Sequence, residues 1–104
     1  MPHRNNHLPE HVGSLVETLR PLAAKAEQEG VVLAMETHAV SIMDPPEKCR
    51  EIVEAVGSDN LRLILDVVNH FQCLQQVYHS SDLVNHIFDE TGTISPVAHI
   101  KDLK

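Results

Sequence analysis

Apolar residues fall into two kinds of run along this chain. The first kind recurs every three or four positions. Val12, Leu15, Val16, Leu19, Leu22, Ala23 and Ala26 do so between Pro9 and Gln28, which predicts an amphipathic helix. Pro21 lies inside it and is expected to kink or split it, because proline lacks an N–H and its ring crowds the preceding turn. Gly30 follows as the expected left-handed terminator. The second kind is short and continuous: Val31–Glu36, Leu61–Asp66 (extending at most to Val68) and Ser95–Lys101. Runs of this length predict strands, and Val31–Glu36, with no polar alternation, suits a strand covered on both faces.

Between the runs lie further helix signals. Asp44-Pro45-Pro46-Glu47 predicts a helix start, with Asp44 as cap, Pro45 in the first position and Glu47 completing a capping box. Cys49, Ile52, Val53 and Val56 form its buried stripe and Gly57 closes it. Residues 1–8, Thr37–Met43 and Ser58–Asn60 read as loops. A later helical stretch carries Leu74, Val77 and Tyr78, breaks near Ser80-Ser81, resumes from a Ser cap with Leu83, Val84, Ile87 and Phe88, and stops at Gly92. The order α-β-α-β-α-β, without a hairpin signal, predicts an α/β fold with a parallel sheet and right-handed crossovers.

Composition narrows the class. With 104 residues, one domain spanning 1–104 is expected. Hydrophobic residues make up 42% but aromatics only 3%, so the core must be aliphatic. A net charge of -7 argues against a nucleic-acid surface, which needs clustered Lys and Arg. No apolar run approaches the roughly 20 residues of a membrane span, and the polar start MPHRNNHLPEH is no signal peptide. Cys49 and Cys73 match no zinc spacing and read as reduced thiols of a cytoplasmic protein.

The candidate chemistry sits at the strand ends. Glu36, Asp66 and His99 close VVLAME, LRLILD and VAHIKD. In parallel α/β architectures the strand C-terminal ends gather on one face, where sites are built. Side chains alternate along a strand. Glu36 therefore shares a face with Val32 and Ala34, Asp66 with Ile64, and His99 with Val97 and Lys101. Two carboxylates and an imidazole suit a hard or borderline divalent cation, and the carboxylates would repel each other without one. The plainer alternative is that strand-end polar groups meet solvent or cap the next turn. His3, His7 and His11 have helical spacing, but Pro9 interrupts it and argues against zinc there. His70, His79 and His86 read as surface or helix-packing residues.

The phrases ETH, LDVVNHF and AHIKD, in this order and spacing, resemble successive strand ends of the xylose isomerase-like TIM barrels. LRPLAAKAEQEGVVLAME, IVEAVGSDNLRLILDVVN and FDETGTISPVAHIKD resemble the units that carry them, so the resemblance covers nearly the whole chain. It implies about three βα units of a (β/α)8 barrel. It implies a divalent ion (Mn²⁺, Mg²⁺, Co²⁺ or Zn²⁺) held by Glu36, Asp66 and His99. Glu36 would also transfer a proton. Asn69 would contact a sugar or sugar phosphate or, in some members, a second metal. Asp102 belongs to the motif and would orient His99, the alternative being a turn-initiating Asp. Beside the resemblance, His38 and Lys101 are candidates for substrate contact, the alternatives being an ordinary loop His and a solvated strand-end Lys. The HRNNH loop would border the substrate cavity. The implied activity is a sugar or sugar-phosphate isomerase or epimerase, with the metal stabilising an enediolate. The alternatives are a dehydratase or lyase of the same superfamily, an endonuclease IV-like enzyme (disfavoured by Asn69 and the acidic charge), and a non-catalytic α/β fragment.

A closed barrel takes about 250 residues, with about 200 a practical minimum. The first strands and the last strand, which bears the family's second catalytic Glu, have no counterpart here. The expectation is a fragment with little or no isomerase activity alone, whose open strand edges and inner face invite oligomerisation or aggregation.

Overall fold

In a computed structural model, residue 5 and residues 7–102 are described. A 3-10 turn at Pro9–His11 leads into helix α1, Val12–Glu29. Strand β1 (Leu33–Glu36) follows, then α2 (Pro46–Val56), β2 (Leu61–Asp66), the short α3 (Leu74–Tyr78), α4 (Ser80–Thr91) and β3 (Val97–His99). The strands form one parallel sheet in the order β1-β2-β3. The α/β reading therefore holds, with three parallel strands alternating with helices.

One face of the sheet carries the core. Leu61 and Leu63 of β2 are fully buried against Val16, Leu19 and Ala23 of α1 and Cys49, Ile52 and Val53 of α2. Leu33 and Met35 of β1 join the same cluster. This matches the aliphatic core that the composition demands. Of the expected stripes, Val16, Leu19, Ala23 and Ala26 of α1 and Cys49, Ile52 and Val53 of α2 are buried, whereas Leu22, Leu74, Tyr78 and Phe88 are exposed. Gly30 and Gly57 end α1 and α2 with φ of 66° and 73°. Only glycine takes that conformation without a Cβ clash.

The other face is open. Ala34 and Val97 are exposed and Ile64 is half-buried. The expectation that Val31–Glu36 is covered on both faces fails for this reason: among the described residues, helices α1 and α2 cover one side only. Val31 and Val32, half-exposed, stand outside the ladder, which begins at Leu33.

Other local expectations are corrected. Helix α1 runs through Pro21 without a break. Pro21 and Glu17, whose carbonyl loses its i+4 donor, both lie on the exposed side, so the missing bond is not one the core depends on. Asp44 does not cap α2. Pro45 holds the cap position, and the Asp44 carboxylate is engaged by His70 and Gln72. No Ser side chain caps α4, whose cap residue is His79. Helix α4 does stop at Gly92, which has helical φ and opens a 3-10 turn, Gly92–Ile94. Residues Val67–His70 form a 3-10 turn, and β3 keeps only Val97–His99.

Both cysteines are free thiols. Burial pushes the Cys49 thiol up to about 12, and its Sγ donates to the Met43 carbonyl at 3.1 Å. It is an inert core residue.

Candidate metal centre

The parallel register brings the strand ends together. Asp66 pairs with His99 across β2 and β3, and Glu36 lies opposite Ile64, two residues before Asp66. All three side chains leave the open face of the sheet. One ligand atom from each of Glu36, Asp66 and His99 lies within 4.8 Å of the others. The His99 Nδ1 is 3.3 Å from Asp66 Oδ2 and 3.4 Å from Glu36 Oε1.

The three differ in environment. Asp66, on the central strand, is fully buried, whereas the side chains of Glu36 and His99 are 45% and 42% exposed. Asp66 Oδ1 is buried with no hydrogen-bond partner among the described residues. An unpaired buried carboxylate oxygen is costly; Oδ2, the oxygen that faces the His99 imidazole, already has partners, so Oδ1 is the Asp66 oxygen left open to a cation. The residues present therefore fit a divalent ion, with a mixed oxygen and nitrogen donor set.

Asn69 and Lys101 complete the cluster. The Asn69 carboxamide donates to Glu36 Oε1 at 3.0 Å and to the Thr37 carbonyl at 3.0 Å. The Lys101 ammonium lies 2.6 Å from Asp66 Oδ2 and 3.7 Å from Glu36 Oε1, and donates to Asn69 Oδ1 at 3.0 Å. The structure thus gathers Glu36, Asp66, His99, Asn69 and Lys101. His38 is apart: its Nδ1 accepts from the Val40 N–H of its own loop. It lines a separate hollow of about 430 Å³ that Asn69, Phe71 and Gln72 share. Asp102 is exposed, and no bond from it to His99 is found among the described residues. Glu36 also lines an open hollow of about 650 Å³, together with Asn5 of the HRNNH loop, His11, Ser41 and Met43. His3 lies outside the described residues; His7 and His11 are exposed.

Lys101 acts as the local counter-charge. Burial pushes the Asp66 carboxyl up, but the hydrogen bond and charge of Lys101, with help from His99 and the Asn69 N–H, hold it below its ordinary 3.8. The hydrogen bond to Asp66 in turn raises Lys101 above 10.5 against its own desolvation. A depressed carboxyl contributes stability above its unfolded pKa, lost as pH falls through the folded one. The raised ammonium contributes below 10.5, lost as pH rises through its folded pKa. In EDTA, Lys101→Met is therefore expected to destabilise the protein at neutral pH. The gap from wild type should close as acid protonates Asp66 below pH 3.8. Urea unfolding across pH measures this, and a gap that persists in acid would remove the ion pair as its cause.

Three polar residues beside the cluster escaped the sequence reading. Thr37 and His70 are buried and bonded to each other, and His70 is bonded to Asp44. His70 is thus neither a surface nor a helix-packing histidine. The one hint in the sequence is adjacency, since Thr37 follows Glu36 and His70 follows Asn69.

Comparison with known proteins adds one match. The profile of the xylose isomerase-like TIM barrel family matches residues 2–104. No curated protein and no solved structure matches the chain.

Proposed function

The chain belongs to the xylose isomerase-like TIM barrel family, and from that premise we propose that it carries the metal-binding strand ends of a divalent-metal-dependent sugar or sugar-phosphate isomerase or epimerase. The observation that carries this reading is the convergence of Glu36, Asp66 and His99 within 4.8 Å. The unpaired, buried Asp66 Oδ1 supports it.

Glu36, Asp66 and His99 would hold the ion. When bound, the ion supplies positive charge opposite the negative charge that grows on a substrate oxygen as a neighbouring C–H proton leaves. Glu36 is the residue placed to take that proton. It is half-exposed, it borders the hollow of about 650 Å³, and its Oε1 is oriented by Asn69. Orientation of the base before substrate arrives is where much of the rate advantage arises. Asn69 and Lys101 offer an amide and an ammonium to sugar hydroxyls or to phosphate oxygens. Among the described residues no helix is long and apolar enough to cross a membrane.

Calorimetry with Mn²⁺ on wild type and Glu36→Gln tests the reading. The exchange replaces an anionic ligand by a neutral amide of the same shape. Affinity is expected to fall at least about tenfold. Equal affinity in the two proteins, or no binding to wild type, would overturn it.

A further inference from the structure

Directly behind the cluster runs a buried polar chain. The Thr37 hydroxyl lies 2.9 Å from His70 Nε2, and His70 Nδ1 lies 2.9 Å from Asp44 Oδ1. The other Asp44 oxygen accepts from Gln72 Nε2 at 2.8 Å. A carboxylate only accepts, so His70 Nδ1–H donates to Asp44. In the neutral imidazole, Nε2 then accepts the Thr37 hydroxyl proton.

Asp, His and hydroxyl in this order have the connectivity of a nucleophile chain. Burial excludes that use: Thr37 and His70 are 2% and 3% exposed, so no substrate reaches the hydroxyl. What the chain does is join two segments. Thr37 follows Glu36 and His70 follows Asn69, so the Thr37–His70 bond ties the end of β1 to the turn after β2. Asn69 reinforces the tie: its carboxamide binds Glu36 and the Thr37 carbonyl, and its own carbonyl accepts the Ala39 N–H at 2.8 Å. Asp44, from the loop before α2, fixes the imidazole plane.

We propose that Thr37, His70 and Asp44 are positioning residues that set Glu36 and Asn69 against Asp66 and so preorganise the divalent-cation site; this rests on the metal reading above. Asn69 is the hydrogen-bonded partner directly behind Glu36, and such partners typically govern affinity by about 10- to 100-fold; Thr37, His70 and Asp44 stand one bond further out and act through its segment. The buried network is also satisfied at every polar side-chain atom of Thr37 and His70, so it holds one arrangement.

The test compares Thr37→Val, which keeps the shape but loses the hydroxyl, with Thr37→Ser, which restores it. Mn²⁺ affinity by calorimetry is expected to fall by about tenfold, the lower end of that range, in Thr37→Val and to return close to wild type in Thr37→Ser. The visible absorption of bound Co²⁺ should change in the first variant and recover in the second, which a loss of stability alone would not produce. Asp44→Asn, at the rim of the network, is the companion variant should Thr37→Val not fold, and it is expected to weaken binding in the same range. Wild-type binding with unchanged affinity and unchanged Co²⁺ absorption in a folded Thr37→Val or Asp44→Asn would overturn the positioning role alone. Failure of wild type to bind either ion would overturn the metal reading and this one with it.

Discussion

Mn²⁺ affinity is expected to fall by at least about 100-fold when Asp66 becomes Asn, the top of the range for residues that only support a ligand. Asp66 holds the middle position of the cluster: its strand lies between the other two, and its side chain is fully buried. Its Oδ2 faces His99 and Lys101, and its Oδ1 has no partner among the described residues. Asparagine keeps the shape but removes the charge and places an NH₂ donor at one of the two oxygen positions. A donor cannot ligate a cation, and a neutral group no longer balances Lys101. Calorimetry on a variant shown folded by circular dichroism measures the loss. Unchanged affinity would take Asp66 out of the ligand set and leave the proposed centre with only half-exposed ligands.

Leu63→Ala is expected to destabilise the protein by about 2–5 kcal/mol, a large share of the roughly 5–15 kcal/mol that holds a domain together. Leu63 is fully buried on the central strand between the helices α1 and α2. Truncation removes apolar burial and leaves a cavity that a backbone pinned by two neighbouring strands cannot fill. Val97→Ala is the matched control on the opposite face. Val97 is 48% exposed, so its truncation is expected to cost about 0.5 kcal/mol or less. Denaturant unfolding of both variants reads the difference. A Val97→Ala loss equal to that of Leu63→Ala would show that the open face is covered in solution, by another copy or by further chain.

The course of the helices was legible because their apolar stripes are local and regular. Val16, Leu19 and Ala23 are spaced for one helix face, and Cys49, Ile52 and Val53 for another, whatever they pack against. Gly30 and Gly57 were legible for a related reason, since only their own backbone conformation is at stake. Helix starts were less so. Asp44 has the chemistry of a cap, but His70 and Gln72, distant in sequence, take its oxygens. Pro21 looked disruptive because sequence gives no account of which side of the helix water reaches.

The candidate site divides along the same line. That Glu36, Asp66 and His99 end strands, and that alternation puts each on a definite face, followed from sequence, because strand periodicity is a property of the backbone. Their convergence depends on register, the pairing of Asp66 with His99 and of Glu36 with Ile64, which only the assembled sheet decides. So too with the burial of Asp66, the Lys101 ammonium set among the carboxylates, and the Thr37–His70–Asp44 chain behind them. Each joins residues more than twenty positions apart, and no local pattern encodes a contact made by folding two strands and a loop against one another.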